Sequence, residues 1–193
     1  MTKWLSHRMV ERGIIKEEEQ ELYQFGIRNG MILLLNVVTA LVIGLLTEQL
    51  AVVAVFTLSF MVLRSYTGGY HSDSRVFCYL GSNLVLLVPV YTQAVFCKTS
   101  LARLLAVLLV SAGIIFLLSP MHSKNRKLDK EEQKHFGRKA RLIAVLELAV
   151  LGILWHAGQI PYAYAVYTGI CITALFMLVG KAQLWIQSHT ENG

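Results

Sequence analysis

An all-α, polytopic membrane protein is the fold class that this sequence predicts, and three observations predict it. The 193 residues are 55% hydrophobic and only 16% charged, too apolar for a water-soluble domain of that size. The apolar residues fall in six runs separated by polar segments, and most of the runs approach the ~17–25 helical residues needed to cross a hydrocarbon core of about 30 Å. Lys and Arg collect in alternate connections between the runs, as they do where a chain is threaded with its positive loops inside.

Taken in order, the first 26 residues mix Trp4, Leu5, Met9, Ile14, Ile15, Leu22 and Tyr23 with nearly equal numbers of acids and bases. A signal peptide would need an apolar core and a small-residue cleavage site. The pattern instead predicts an interfacial amphipathic helix, or a helix pair broken at Gly13, with its apolar face on the inner leaflet. The spans then fall at residues 30–46, 50–63, 77–97, 101–119, 142–158 and 162–180, about six transmembrane helices in a single integral membrane domain over 1–193. Two of them are weak. The second is short unless it continues through Tyr66 and Thr67 with Arg64 snorkelling to the interface, and the fifth carries Glu147, whose expected partner is Arg141 or Arg103. A four-helix core with two partial helices is the alternative count. Asn36, Asn83 and Gln93 are expected to hydrogen-bond between helices or between subunits. The chain shows no internal repeat.

Orientation follows from the basic residues. With the N-terminus inside, sixteen of the eighteen Lys and Arg lie inside, and only Lys98 and Arg103 lie outside. Both termini and the segment 64–76 are therefore expected to face the cytoplasm. So is the basic loop 119–141, in which eight Lys and Arg face Asp129, Glu131 and Glu132. This loop either enforces topology and touches anionic membrane lipid, at roughly 1 kcal/mol per basic residue near the surface, or steers an acidic peptide segment to the membrane. Nucleic acid is excluded as a partner because the stretch lacks interleaved aromatics and lies against a bilayer.

The chemistry concentrates in "LRSYTGGYHSDSRVFCYLGSN", residues 63–83, a polar island between two apolar runs. The chain has three cysteines, which make no disulfide framework. Cys97 and Cys171 lie in or at the end of apolar runs and read as small hydrophobes. Cys78 follows Ser72, Asp73 and Ser74, strong helix-capping residues, so the third helix is expected to begin there with Cys78 near its first turn. Exposed N–H groups and the helix dipole favour a thiolate at such a place, and Arg75 adds positive charge. His71 lies seven residues earlier, about 10 Å away on a straight helix, so the two meet only if the chain folds back. Gly68 and Gly69 permit that by allowing positive φ and close backbone approach. An imidazole within reach of the thiol would activate it as a nucleophile and later protonate a leaving amine. Asp73 either orients that base or caps the helix. Zinc would want three or four ligands at close spacing; no such pattern occurs, and His122 and His135 add none, so neither a metal nor a cofactor is expected.

The stretch "RSYTGGYHSDSRVFC", with Arg64, Gly68, Gly69, His71 and Cys78, resembles the signature of the accessory gene regulator B (AgrB) family, membrane-embedded cysteine endopeptidases of quorum-sensing Gram-positive bacteria. The resemblance covers most of the chain: the amphipathic N-terminus, the Arg/Gly-Gly/His/Cys segment and the proline-then-basic loop from Pro120 to Arg141. It implies a multi-pass protein of the bacterial cell membrane, a homodimer, that acts on a propeptide with an amphipathic leader, a central signal segment holding a Cys or Ser, and an acidic C-terminal tail. It also implies Cys78 as nucleophile, His71 as base and then acid, and an acyl-enzyme thioester that the substrate's own thiol captures as a thiolactone. Supporting roles fall to Arg64, Gly68, Gly69, Asp73 and Arg75; Arg64 pairs with the tail, holds the loop or marks the lipid boundary, and the resemblance favours an essential role. Backbone N–H groups near Gly69 or the start of the third helix are candidates for an oxyanion hole, each worth roughly 3 kcal/mol. The reading from another class is a small transporter or peptide exporter, which would call for paired broken helices and repeat symmetry.

Overall fold

The computed structural model describes residues 2–68, 75–121 and 129–190, and every regular element among them is helical. Two compact units divide the chain, Met1–Thr39 and Ala40–Gly193.

In the first unit, α1 (Thr2–Glu11) interleaves charge with apolar surface. The Arg8 guanidinium lies 5.1 Å from the centre of the Trp4 ring, while Trp4, Leu5 and Ile14 are exposed. The helix stops at the expected break. Gly13 takes φ +66°; its N–H donates to the Val10 carbonyl at 2.9 Å, and that of Ile14 to Met9 at 3.0 Å. This is the Schellman closure, which wants glycine because its left-handed residue carries no Cβ to clash. A single 3-10 turn, Glu17–Glu19, then leads into α2 (Gln20–Leu46).

The second unit holds the end of α2 from Ala40 onward and the remaining helices: α3 (Leu50–Thr67), α4 (Arg75–Tyr91), α5 (Gln93–Lys98), α6 (Leu101–Leu118), α7 (Lys130–His156) and α8 (Ile160–Thr190). All six apolar runs are helical, and three boundaries differ from expectation or resolve it. First, α3 continues through Tyr66 and Thr67 and reaches a full 18 residues. Second, the third run is the short one. Pro89 sits inside α4 and withdraws a backbone donor, and the helix ends at Tyr91 before restarting as α5. At the break the Val88 carbonyl accepts from the Thr92 N–H (3.1 Å), the Thr92 hydroxyl (2.8 Å) and the Tyr164 hydroxyl (3.3 Å), so that this carbonyl is paired where the helix ends. Third, α7 begins at Lys130 and absorbs residues 130–141, half of the expected basic loop. Glu131 in the first turn and His156 in the last suit the helix dipole.

Among the described residues, four helical segments are long and apolar enough to cross a membrane: residues 17–46, 50–67, 101–118 and 160–186. The protein is a polytopic all-α membrane protein. α4 is the shorter apolar helix, and α7 carries Lys139, Arg141 and Glu147 along its length.

Two connections are built alike. Glu48 and Gly158 occupy the left-handed position, at φ +57° and +72°, and in each case the following Gln serves two helices. The Gln49 N–H closes α2 on Gly44 (2.9 Å) and its carbonyl accepts from Val53 (3.0 Å); the Gln159 N–H closes α7 on Leu154 (2.9 Å) and its carbonyl accepts from Ala163 (3.0 Å). In each connection, helix exit and helix entry share one residue.

The core surrounds α8, which packs on α3, α6 and α7. One face of α8 joins Leu63, Ile115, Ala144 and Leu151 through Ala163, Val166, Ile170 and Met177. Another meets Val53, Phe56 and Leu86 through Ala165 and Ile172. The closest approach is at Gly169, where a Cβ would stand 2.5 Å from the Ser59 hydroxyl and 3.4 Å from the Phe60 nitrogen. Small residues at such crossings let membrane helices meet backbone to backbone. The Ser59 hydroxyl donates to Glu147 Oε2 at 2.8 Å. That corrects the expected ion pair: Arg141 donates to the Phe116 carbonyl (3.3 Å) and Arg103 to the Ser100 hydroxyl (3.0 Å). Within an apolar bundle a hydroxyl spans two helices with less desolvation than a second charge would bring.

Candidate functional site

The polar island leaves the bundle at the end of α3, and the described residues there form a backbone lock. Gly68 terminates α3 with φ +72° and ψ −153°, a combination open to glycine almost alone. Its missing Cβ is required twice over, since that atom would lie 2.6 Å from the Met121 carbonyl oxygen. Met121 in turn donates its N–H to the Thr67 carbonyl at 2.9 Å, and Thr67 is fully buried. The strand of chain after α6 is thereby stitched to the last turn of α3.

Arg64 completes the lock from one turn back. Its carbonyl accepts the Gly68 N–H at 3.3 Å, and its Nη1 donates to the Gly68 carbonyl at 2.9 Å. The guanidinium carbon lies 5.0 Å from the centre of the Phe176 ring on α8. The polar first half of α7 closes against the same corner. Tyr66 meets Phe136 with ring centres 6.4 Å apart, the Lys139 ammonium lies 5.9 Å from the Tyr66 ring, and Gly137 makes room for Pro120, whose Cδ would be 3.0 Å from an added Cβ.

Of the residues singled out by the sequence, Arg64 and Gly68 are thus brought together. Gly69, His71 and Asp73 lie outside the described residues, as do the side chains of Arg75 and Cys78. The backbone of α4 starts at Arg75 and makes Cys78 its fourth residue. Cys97 is exposed and Cys171 half-buried, both as free thiols. Among the described residues no three His, Cys, Asp or Glu side chains group as metal ligands would. Sequence reasoning missed Met121, Gly137 and Phe176. Each acts through a contact to a distant segment, and none stands out by type or spacing.

A helical membrane protein with a Gly-Gly/His/Cys island anchored at the end of one span is the class that fold and site define. A family model described as accessory gene regulator B matches residues 1–178, and the chain belongs to that family. It is similar to two proteins of Clostridium perfringens. One, "Putative AgrB-like protein 2" of strain 13, is 25% identical over 134 residues, covering 65% of this chain and 61% of that protein. The other, "Putative AgrB-like protein" of strain SM101, is 22% identical over 151 residues, covering 74% and 69%. The match thus spans about three fifths of the first relative's length. No solved structure matches the chain.

Proposed function

We propose that this member of the accessory gene regulator B family is a cysteine endopeptidase that trims and cyclises a signalling propeptide at the cytoplasmic face of the bacterial membrane. The observation that carries the reading is the start of α4 at Arg75. Cys78 is the fourth residue of that stretch, and this reading takes it as lying in the first turn of the helix, where the dipole favours a thiolate. The anchored Gly68 supports it, because the chain between that glycine and Arg75 carries His71.

In the proposed reaction His71 takes the thiol proton, and the Cys78 thiolate attacks the carbonyl that joins signal segment to tail. The C–N bond breaks, the tail amine leaves with the proton held by His71, and the acyl group stays on Cys78 as a thioester. A thiol within the bound substrate then attacks that thioester, closing a thiolactone and restoring the Cys78 thiol. Exchange of one thioester for another needs no nucleotide, provided water is kept from the acyl group. The tail is acidic in this reading, matching the Lys and Arg of residues 124–141. Both termini face the cytoplasm by the distribution of basic residues, and the protein works as a homodimer.

Reconstitution in liposomes with candidate propeptides tests this. Mass spectrometry is expected to find an acyl adduct on Cys78, absent from Cys78→Ala; His71→Ala should form it at a rate lower by about 10²–10⁴. Cys97→Ala and Cys171→Ala should process normally. Wild-type cleavage by Cys78→Ala would sink the reading.

A further inference from the structure

The Arg64 guanidinium is fixed from two directions, by the Gly68 carbonyl at 2.9 Å and by the Phe176 ring at 5.0 Å. Phe176 is itself buttressed. The ring of Phe60 meets it edge-on at 5.9 Å, and Phe56 stacks on Phe60 at 5.8 Å with the planes 5° apart. Three aromatic rings from α3 and α8 thus back one cation.

We infer that Phe176 is a positioning residue for the proposed cysteine site: its ring face holds the Arg64 guanidinium on the Gly68 carbonyl and so sets the direction in which the chain leaves α3 toward His71. A guanidinium drawn away from water must recover its lost solvation, and the negative face of an aromatic ring together with a carbonyl dipole supplies part of it. The Gly68 oxygen belongs to the peptide that joins Gly68 to the next residue, so the arginine bond restrains rotation of that link. Gly68 has many backbone conformations open to it at little steric cost, so the one it holds is selected by its neighbours. The Met121 carbonyl packs against Gly68 and leaves no room for a Cβ there, while Arg64 and Phe176 hold the outgoing peptide. α8 therefore reaches the site through a residue that touches neither substrate nor nucleophile.

The activity arm of the test rests on the proposed function; the geometry does not. Full-length protein in liposomes would carry Phe176→Leu, Phe176→Tyr or trifluorophenylalanine at 176, the last keeping the ring's shape while weakening its negative face. Leu and the fluorinated ring are expected to slow acyl-enzyme formation about tenfold and about threefold, with KM shifted by less than about twofold; Tyr is expected to stay within about twofold of the parent rate. Hydrogen exchange at the Gly68 amide should quicken in the same order. A Leu variant with the parent rate and exchange overturns the inference, and so does a fluorinated variant indistinguishable from the parent, since packing alone would then account for Phe176. If the parent forms no acyl adduct, the reading of activity fails, while the exchange series still decides whether the ring holds the loop.

Discussion

α6 and α8 are both long enough and apolar enough to span a bilayer, yet they hold opposite places. Only 11% of the most apolar stretch of α6 is buried inside the fold, against 67% of that of α8, although α6 is the more Leu- and Val-rich of the two. In water the greasier helix would be the inner one. In lipid the ranking has no such force, because the acyl chains are as apolar as Leu, and small and hydroxylic residues mark the helix that others touch. α8 supplies them in Ala163, Ala165, Thr168, Gly169, Thr173 and Ala174, all closely packed. α6 presents Leu109, Val110 and Leu117 outward.

The difference can be broken at two glycines. Gly169→Ala on α8 would push a methyl to within 2.5 Å of the Ser59 hydroxyl. It should cost about 2 kcal/mol through overpacking and the displaced Ser59–Glu147 bond. For a chain of this size that corresponds to a fall of roughly 4–8 °C in melting temperature in detergent; an unchanged melting point would mean that α8 is not the packed helix. Next in size is Ser59→Ala, which removes the donor to Glu147 and should cost about 1 kcal/mol. Glu147→Gln on top of it should recover part of that loss by deleting the stranded carboxyl, and a double variant no better than the single would break the coupling. The smallest change carries the opposite sign. Gly113 on α6 has nothing within 4 Å of an added Cβ, so Gly113→Ala should stabilise by about 0.5–1 kcal/mol through helix propensity alone. Calorimetry showing destabilisation there would place α6 against an unseen partner.

Much of this was readable along the chain, where local chemistry decides. Hydropathy located all six helical runs, and Gly13 announced the end of α1. The break at Tyr91 was harder to see. Pro89 signals a weakness, but whether a span bends or stops depends on who satisfies the backbone, and here that is Tyr164 on α8. The α7 extension was missed because a charged stretch reads equally as loop or as solvated helix until its apolar members, Phe136 among them, find a surface. At the site, Arg64 and Gly68 stood out by residue type. Met121 and Phe176 did not, since their parts are set by a backbone hydrogen bond and a ring face contributed from far along the chain.

The contact at Gly169 also bears on how such a sequence can drift. Position 169 tolerates a side chain only if position 59 surrenders its hydroxyl or α3 moves away, and losing that hydroxyl strands Glu147 on a third helix. The three positions therefore behave as one inherited unit. A damaging change at 169 should be rescued by a change at 59 and more fully when 147 changes with it, and a suppressor screen would recover those residues together although nothing in the linear order links them.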